Sequence, residues 1–132
     1  MPIEHLNPDG MYKSPVFSQG IIVPAGARML LIGGQNSVNA SGEIIGKDDT
    51  ARQTEQALEN LQTVLKAAGG RLEDLVKVTI YIRQDADLRA GFGAWMAVWG
   101  DRGHPPTVSG IRVAALTNPD FLIEIEAQAV LP

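Results

Sequence analysis

The sequence predicts an α+β fold of order β-β-α-β-α-β-β, with a mixed or mostly antiparallel sheet and two helices on one face. Three stretches carry that prediction. "VKVTIYI" (Val76 to Ile82) and "FLIEIEAQAVL" near the C-terminus alternate strictly between apolar and polar residues. A strand turns successive side chains to opposite faces, so this is the pattern of a sheet with one buried side. "DDTARQTEQALENLQTVLKAAGG" instead repeats its apolar residues every three or four positions, the period of a helix packed on one side. The chain has 132 residues, 45% hydrophobic and 20% charged, which suits a single domain (1–132) with a real core.

Taken in order, "FSQGIIVPAGARMLLIGG" reads as a hairpin: a strand at Phe17–Val23, a turn at "PAGA" and a second strand at Arg28–Gly33. Gly33 and Gly34 then free the backbone for an unusual conformation or a close approach. In the long helix, Ala51, Thr54, Leu58, Leu61, Leu65 and Ala68 form the inner stripe. Thr50 and Gln53 match a capping box, and Gly69-Gly70 supplies the stop. Its polar face (Arg52, Gln56, Glu59, Lys66) reads as solvated surface. A second helix follows the "VKVTIYI" strand from about Asp87 to Trp99, with Leu88, Phe92, Trp95 and Trp99 inward.

In the next strand, "VSGIRVAA", one face carries Val108, Gly110, Arg112 and Ala114, the other Ser109, Ile111, Val113 and Ala115. The apolar strand faces should meet the helices. The opposite face should carry Lys77, Thr79, Tyr81, Arg112, Glu124, Glu126 and Gln128. It is either ordinary wet sheet surface or a polar interior made by assembling several copies.

Composition excludes several functions. The chain has no cysteine, so disulfides, thiolate zinc sites and a cysteine nucleophile are out. Its net charge of −4, without a Lys/Arg cluster, disfavours nucleic acid. No apolar run is long enough to cross a bilayer and no leader is visible, so a cytoplasmic protein without membrane partners is expected. His5 and His104 lie far apart in sequence, and no metal set or general-base histidine pair is expected. Nucleophile-elbow and P-loop motifs are missing, and "GFG" at Gly91–Gly93 lacks the context of a dinucleotide fingerprint. No metal or cofactor is expected. That leaves Glu124 and Glu126, side by side on one strand face: proton-shuttling carboxylates, solvated glutamates, or partners of Arg112 or Lys77.

The blocks "PVFSQG" (Pro15–Gly20), "GGQNSVNASGEIIG" (Gly33–Gly46), "TEQALENLQTVLKAAGGRLEDLVKVTIYI" (Thr54–Ile82) and "IEIEAQAV" (Ile123–Val130) follow one another with a familiar order and spacing. From about Pro15 onward the chain resembles the Rid (YjgF-like) family of reactive-intermediate enamine/imine deaminases. The resemblance implies a chorismate-mutase-like fold and a homotrimer with ligand clefts between subunits. It also implies hydrolysis of 2-imino acids to 2-keto acids and ammonia, without a cofactor. In such a site an arginine grips the substrate carboxylate while a glutamate and backbone groups position water.

Carried over by position, the family glutamate falls on Glu124 and the "GQ" on Gly34-Gln35. The family tyrosine falls on Phe17 and the serine on Gly33. The helix asparagine falls near Phe92, the arginine on Val108 and the cysteine on Gly110. Several polar ligand-binding positions are thus apolar or bare, and a charged hydrogen bond is worth about 1.5–3 kcal/mol. The resemblance therefore implies an imine or enamine hydrolase with Glu124 orienting water, acting on something other than a simple 2-imino acid. Phe17, Gly33, Gly34, Gln35, Phe92, Val108, Gly110 and Arg112 would line its small-molecule site. Arg112 either serves that enlarged cleft or pairs with Glu124 or Glu126 across adjacent strands. The alternative function is a trimer that binds a small metabolite or regulates a partner without chemistry. Ribonuclease activity, ascribed to some relatives, fits the acidic charge least.

Overall fold

A computed structural model describes residues 2–132. Its strands are β1 (Glu4–Leu6), β2 (Gly20–Ile22), β3 (Met29–Gln35), β4 (Leu75–Arg83), β5 (Thr107–Val113) and β6 (Ile123–Val130). Its helices are α1 (Thr50–Ala67) and α2 (Leu88–Trp99). Four strands form one sheet in the order β3-β6-β4-β5, antiparallel except for the parallel β4–β5 pair. The α2 segment is the crossover that joins those two parallel strands.

The N-terminal region departs from the predicted hairpin. The strand expected at Phe17–Val23 is only Gly20–Ile22, and it pairs with β1 in a separate two-stranded ribbon rather than with β3. β1 was not anticipated, because three residues are too few to show a period.

α1 begins differently from its predicted capping box. Asp49 is the N-cap: its carboxylate accepts the Arg52 N–H at 3.0 Å. Thr50 and Gln53 do other work. The Thr50 hydroxyl accepts the Asp87 N–H at 3.2 Å, tying α1 to the start of α2. Gln53 is fully buried. It donates to the carbonyls of Gly46 (3.2 Å) and Asp120 (2.9 Å) and accepts the Leu122 N–H at 2.8 Å. A polar side chain on the inner stripe thereby anchors the entry into β6. Gly69, at φ +80°, ends the helix in the left-handed region.

The core lies between the helices and one sheet face. Leu58, Leu61 and Leu65 meet Val78, Ile125 and Ala129 there. Each fully buried leucine contributes about 1.5–3 kcal/mol of transfer free energy. In α2 the buried positions are Gly91, Ala94, Trp95 and Trp99, whereas Leu88 and Phe92, expected inward, are 49% and 51% exposed. Trp95 and Trp99 stack with ring centres 5.8 Å apart. Gly91 faces α1: a Cβ there would stand 3.4 Å from Thr50 Cγ2, in ordinary contact. No helix among the described residues is long and apolar enough to cross a membrane.

Register assigns the faces. Glu124 lies opposite Tyr81 and Glu126 opposite Thr79, on the face away from the helices. Ser109 and Ile111 share that face, opposite Thr79 and Tyr81. Val108, Gly110 and Arg112 lie opposite Val78, Ile80 and Ile82, on the helix side. The expectation that Arg112 shares the glutamate face is therefore overturned. So is its pairing with Glu124 or Glu126, since β4 separates β5 from β6. The Arg112 guanidinium instead donates to the Gln84 carbonyl at 3.3 Å.

Candidate functional site

The candidate site residues fall into two groups on opposite sides of the sheet. On the helix side, Phe17, Phe92 and Val108 come together around an apolar pocket of about 100 Å³. Its sheet wall is Ile80, Ile82, Val108, Ile123 and Ile125; its helix wall is Leu88, Gly91, Phe92 and Trp95. Val16 and Phe17 close the third side. Thr54 is the polar side chain in the lining, and its hydroxyl proton is donated to the Thr50 carbonyl at 2.7 Å. The pocket therefore offers a ligand contact area and exclusion of water, and no reactive group.

Phe17 is held there by its neighbour. Ser18 is buried, its N–H donates to the Pro106 carbonyl (3.0 Å), and its hydroxyl donates to the Pro105 carbonyl (2.5 Å). These bonds bind the segment before β2 to the loop before β5, and so set Phe17 beside Val108.

The second group surrounds Glu124 on the open face. β3 bulges between Ile32, which pairs with Ala127, and Gln35, which pairs with Ile125. Gly33 and Gly34 occupy the bulge. The Glu124 carboxylate lies directly over Gly34: a Cβ at Gly34 would stand 2.7 Å from Glu124 Cδ and 3.0 Å from Cγ. Only a bare backbone admits the carboxylate there. Gly33 has open space instead.

The bulge also moves the neighbouring residues. Gln35 shares the face of Ile125 and lines a groove with Asn60 of α1, so its side chain turns away from Glu124. Asn36 takes its place. Its Nδ2 donates to Glu124 Oε1 (3.2 Å) and to the Ile123 carbonyl (3.3 Å). Asn36 is itself held from α1, where Asn60 Nδ2 donates to the Asn36 and Val38 carbonyls at 3.0 and 2.9 Å. Gln56 donates to Asn60 Oδ1 (3.0 Å), and Arg52 to Gln56 Oε1 (3.3 Å). The α1 face read as solvated thus includes a buried amide, Gln56, in a ladder that supports Asn36. Sequence reasoning missed Asn36; the adjacent glycine pair, which permits a one-residue bulge, was its signal.

Beside Glu124, Tyr81 donates its hydroxyl to Glu126 at 2.8 Å. That bond to a carboxylate holds the phenol above its usual range. A concavity of about 350 Å³ continues along this face past Gly33, Lys77, Thr79 and Glu126. Gly110 and Arg112 join neither group.

His5 and His104 are brought together against expectation, with ring centres 5.4 Å apart. Even so, no group of three or more His, Cys, Asp or Glu among the described residues is placed to hold a metal.

The chain matches the family model described as Endoribonuclease L-PSP over residues 11–131. It is 33% identical over 126 residues to a RutC family protein of Pyrococcus horikoshii, covering 89% of this chain and 97% of that one. It is 34% identical over 104 residues to the 2-iminobutanoate/2-iminopropanoate deaminase of Escherichia coli, covering 77% and 79%. Its fold matches the crystal structure of a Rid family protein from Yersinia pestis with a TM-score of 0.87 and 36% identity, over 99% of this chain and all of the other. Matched by that family model over nearly its whole length and by these relatives in sequence and fold, the chain belongs to the Rid (YjgF-like) family.

Proposed function

We propose that this chain hydrolyses the C=N bond of a reactive imine or enamine, with Glu124 orienting the attacking water. The observation that carries the reading is the carboxylate of Glu124, seated over Gly34 and held by Asn36. A positioned carboxylate accepts a proton as the water oxygen bonds to the imine carbon, and the C=N electron pair moves to nitrogen. Nitrogen takes up that proton to give a carbinolamine; the carbinolamine hydroxyl then gives its proton to nitrogen through the same carboxylate, the C–N bond breaks, and ammonia leaves behind a carbonyl product. The E. coli relative's name, a deaminase of 2-imino acids, supports this class of reaction.

The apolar pocket and Glu124 lie on opposite faces of one sheet, so one chain alone does not present both to one ligand. A homotrimer that sets the Phe17–Val108 pocket of one copy against the Glu124 face of the next makes the site whole. Exposed Leu31 and Ile111 on the Glu124 face suit burial in such an assembly. With Val108 and Gly110 where the family has polar groups, a simple 2-imino acid is not the expected substrate.

A second reading is a trimer that binds a small metabolite without chemistry; the lack of any reactive group in the pocket favours it. RNA cleavage, suggested by the family model's name, has the close His5–His104 pair in its favour. The net charge of −4 weighs against it.

The test is ammonia release from a panel of imines generated by amine oxidases, comparing wild type with Glu124→Gln. Release accelerated by wild type and lost in the variant is expected. Equal release, no faster than buffer, removes the hydrolase and leaves the binding module. A lone subunit by light scattering removes the shared site.

A further inference from the structure

We propose that the pocket selects imines bearing an uncharged aryl or branched-alkyl group and turns away those carrying a carboxylate on the imine carbon. This rests on the hydrolase reading above and names its substrate class.

The lining supports it first. Neither the sheet wall, the helix wall nor Phe17 brings a charge, and the hydroxyl proton of Thr54, 1% exposed, is already given to Thr50. A carboxylate pressed against Val108 would be buried without a partner, which is among the costliest arrangements in a protein. A volume of about 100 Å³, equal to about three waters at their liquid volume, suits a phenyl ring or a branched butyl group. The rim agrees: Leu88 and Phe92, which line the pocket, stand half exposed.

The cations of the sheet, Arg112, Arg83 and Lys77, do not repair the lack of charge. Arg112 shares the face of Val108 but lies four residues along the strand, about 13 Å of extended chain, and donates to Gln84. On the open face Arg83 is committed to Asp85 at 2.6 Å and to the Pro119 carbonyl at 2.7 Å. Lys77 is as far from Tyr81 along β4 as Arg112 is from Val108 along β5. Glu124 meanwhile has a second carboxylate, Glu126, two residues away on its own face. An anionic substrate is penalised at the pocket and repelled at the glutamates.

Two imines with the same phenylmethyl side chain separate the charge from the shape. One is the neutral aldimine formed by oxidation of 2-phenylethylamine; the other is 2-imino-3-phenylpropanoate, formed by oxidation of phenylalanine. Water and the neutral imine give phenylacetaldehyde and ammonia. Wild type is expected to favour the neutral imine in kcat/KM by about a hundredfold. Val108→Arg, which restores a cation beside the pocket, is expected to cut that ratio at least tenfold. In parallel, 2-phenylethanol should perturb the tryptophan emission of wild type, since Trp95 lines the pocket, and the response should vanish in Trp95→Phe.

Equal or faster turnover of the acid overturns the proposal while leaving the hydrolase intact, provided that turnover needs Glu124. Tryptophan emission untouched by 2-phenylethanol also overturns it, as it would if a second copy filled the pocket. Binding of 2-phenylethanol with no imine hydrolysed faster than buffer defeats the hydrolase reading instead, and leaves the pocket's preference for neutral apolar groups standing.

Discussion

The helix-covered face of the sheet and its open face are made by the same strands, yet they are built on different constraints. On the covered face, Val108, Ile80 and Ile125 are interchangeable in kind: apolar, of suitable volume, and without directional bonds. On the open face, Glu124 depends on particular atoms, namely the missing Cβ of Gly34 and the amide of Asn36. A pocket wall can drift through apolar substitutions and change what it holds. A seated carboxylate cannot drift without losing its seat. The covered face is therefore where specificity should be altered, and the open face is where chemistry should be lost.

The sharpest way to break that contrast is Glu124→Gln. It keeps shape and the Asn36 contact but removes the proton acceptor. Ammonia release should fall by about 10²–10⁴-fold, while the tryptophan response to 2-phenylethanol stays at the wild-type value. A loss of both would mean that the two faces are not separable.

Gly34→Ala should come next. The added Cβ occupies the space of the carboxylate, so Glu124 must swing away, and misplacement of about 1 Å costs roughly a hundredfold in rate. Gly33→Ala adds the same Cβ to the bulge with nothing within 4 Å of it, so it crowds the concavity there without displacing Glu124 and should cost less. The pair is read by steady-state kinetics together with thermal melting. Equal kinetics in both variants would show that the carboxylate is not held by the glycine.

How much of this was legible in the sequence depends on whether an element has a period. α1, β4 and β6 are long enough for apolar spacing to show, and their positions and the buried faces of the two strands read correctly; in α1 the leucine stripe did, but buried Gln53 and Gln56 did not. β1 and β2 have three residues each and no period, so their ribbon was mistaken for half of a hairpin. Alternation also says which residues share a face within a strand, but not which side of the sheet that face is on. Register supplies that, and it moved Arg112 to the helix side, away from the glutamates. Of the site, Glu124 and Gly34 were assigned by resemblance, and Phe17, Phe92 and Val108 do converge. Gln35 was expected to line the site with Gly33 and Gly34. The bulge reverses the alternation after Gly34 and brings Asn36 there instead, and no binary pattern reports an extra residue in one strand of a pair.

Asn36→Ala should have a more modest effect. The variant keeps Gly34 bare but removes the donor to Glu124 Oε1. A hydrogen bond to a charged group contributes about 1.5–3 kcal/mol, and the half-exposed site lets water replace part of it. A fall in kcat/KM of about tenfold is expected, with KM for neutral imines little changed. Asn60→Ala should move the same parameters the same way, because Asn60 holds the Asn36 carbonyl. An activity change in Asn60→Ala that persists undiminished in the Asn36→Ala background would break the proposed support of Glu124 through Asn36.

The smallest expected effect lies at the edge of the covered face, where the β1–β2 ribbon meets the loop before β5. The Ser18 hydroxyl has a single proton, which it gives to the Pro105 carbonyl, so in the 3.0 Å contact His5 Nδ1–H must donate to Ser18 Oγ. Burial depresses the His5 pKa, and His104 beside it adds to the depression; Glu73 and Arg102 line the same cleft. The unfolded chain therefore binds a proton to His5 more readily than the folded one. Where the unfolded state holds more protons, stability rises with pH. The contribution is fully present above the unfolded value of 6.5 and is lost as the pH falls from there toward the lowered folded value. Urea midpoints should thus decline as the pH drops below 6.5, and His5→Gln should flatten that slope. Protonation adds its proton at Nε2 and leaves the Nδ1–H bond to Ser18 in place, so the tryptophan response to 2-phenylethanol should hold steady over the same interval. A response that fades together with the midpoint would show that protonated His5 releases Ser18 and, with it, Phe17.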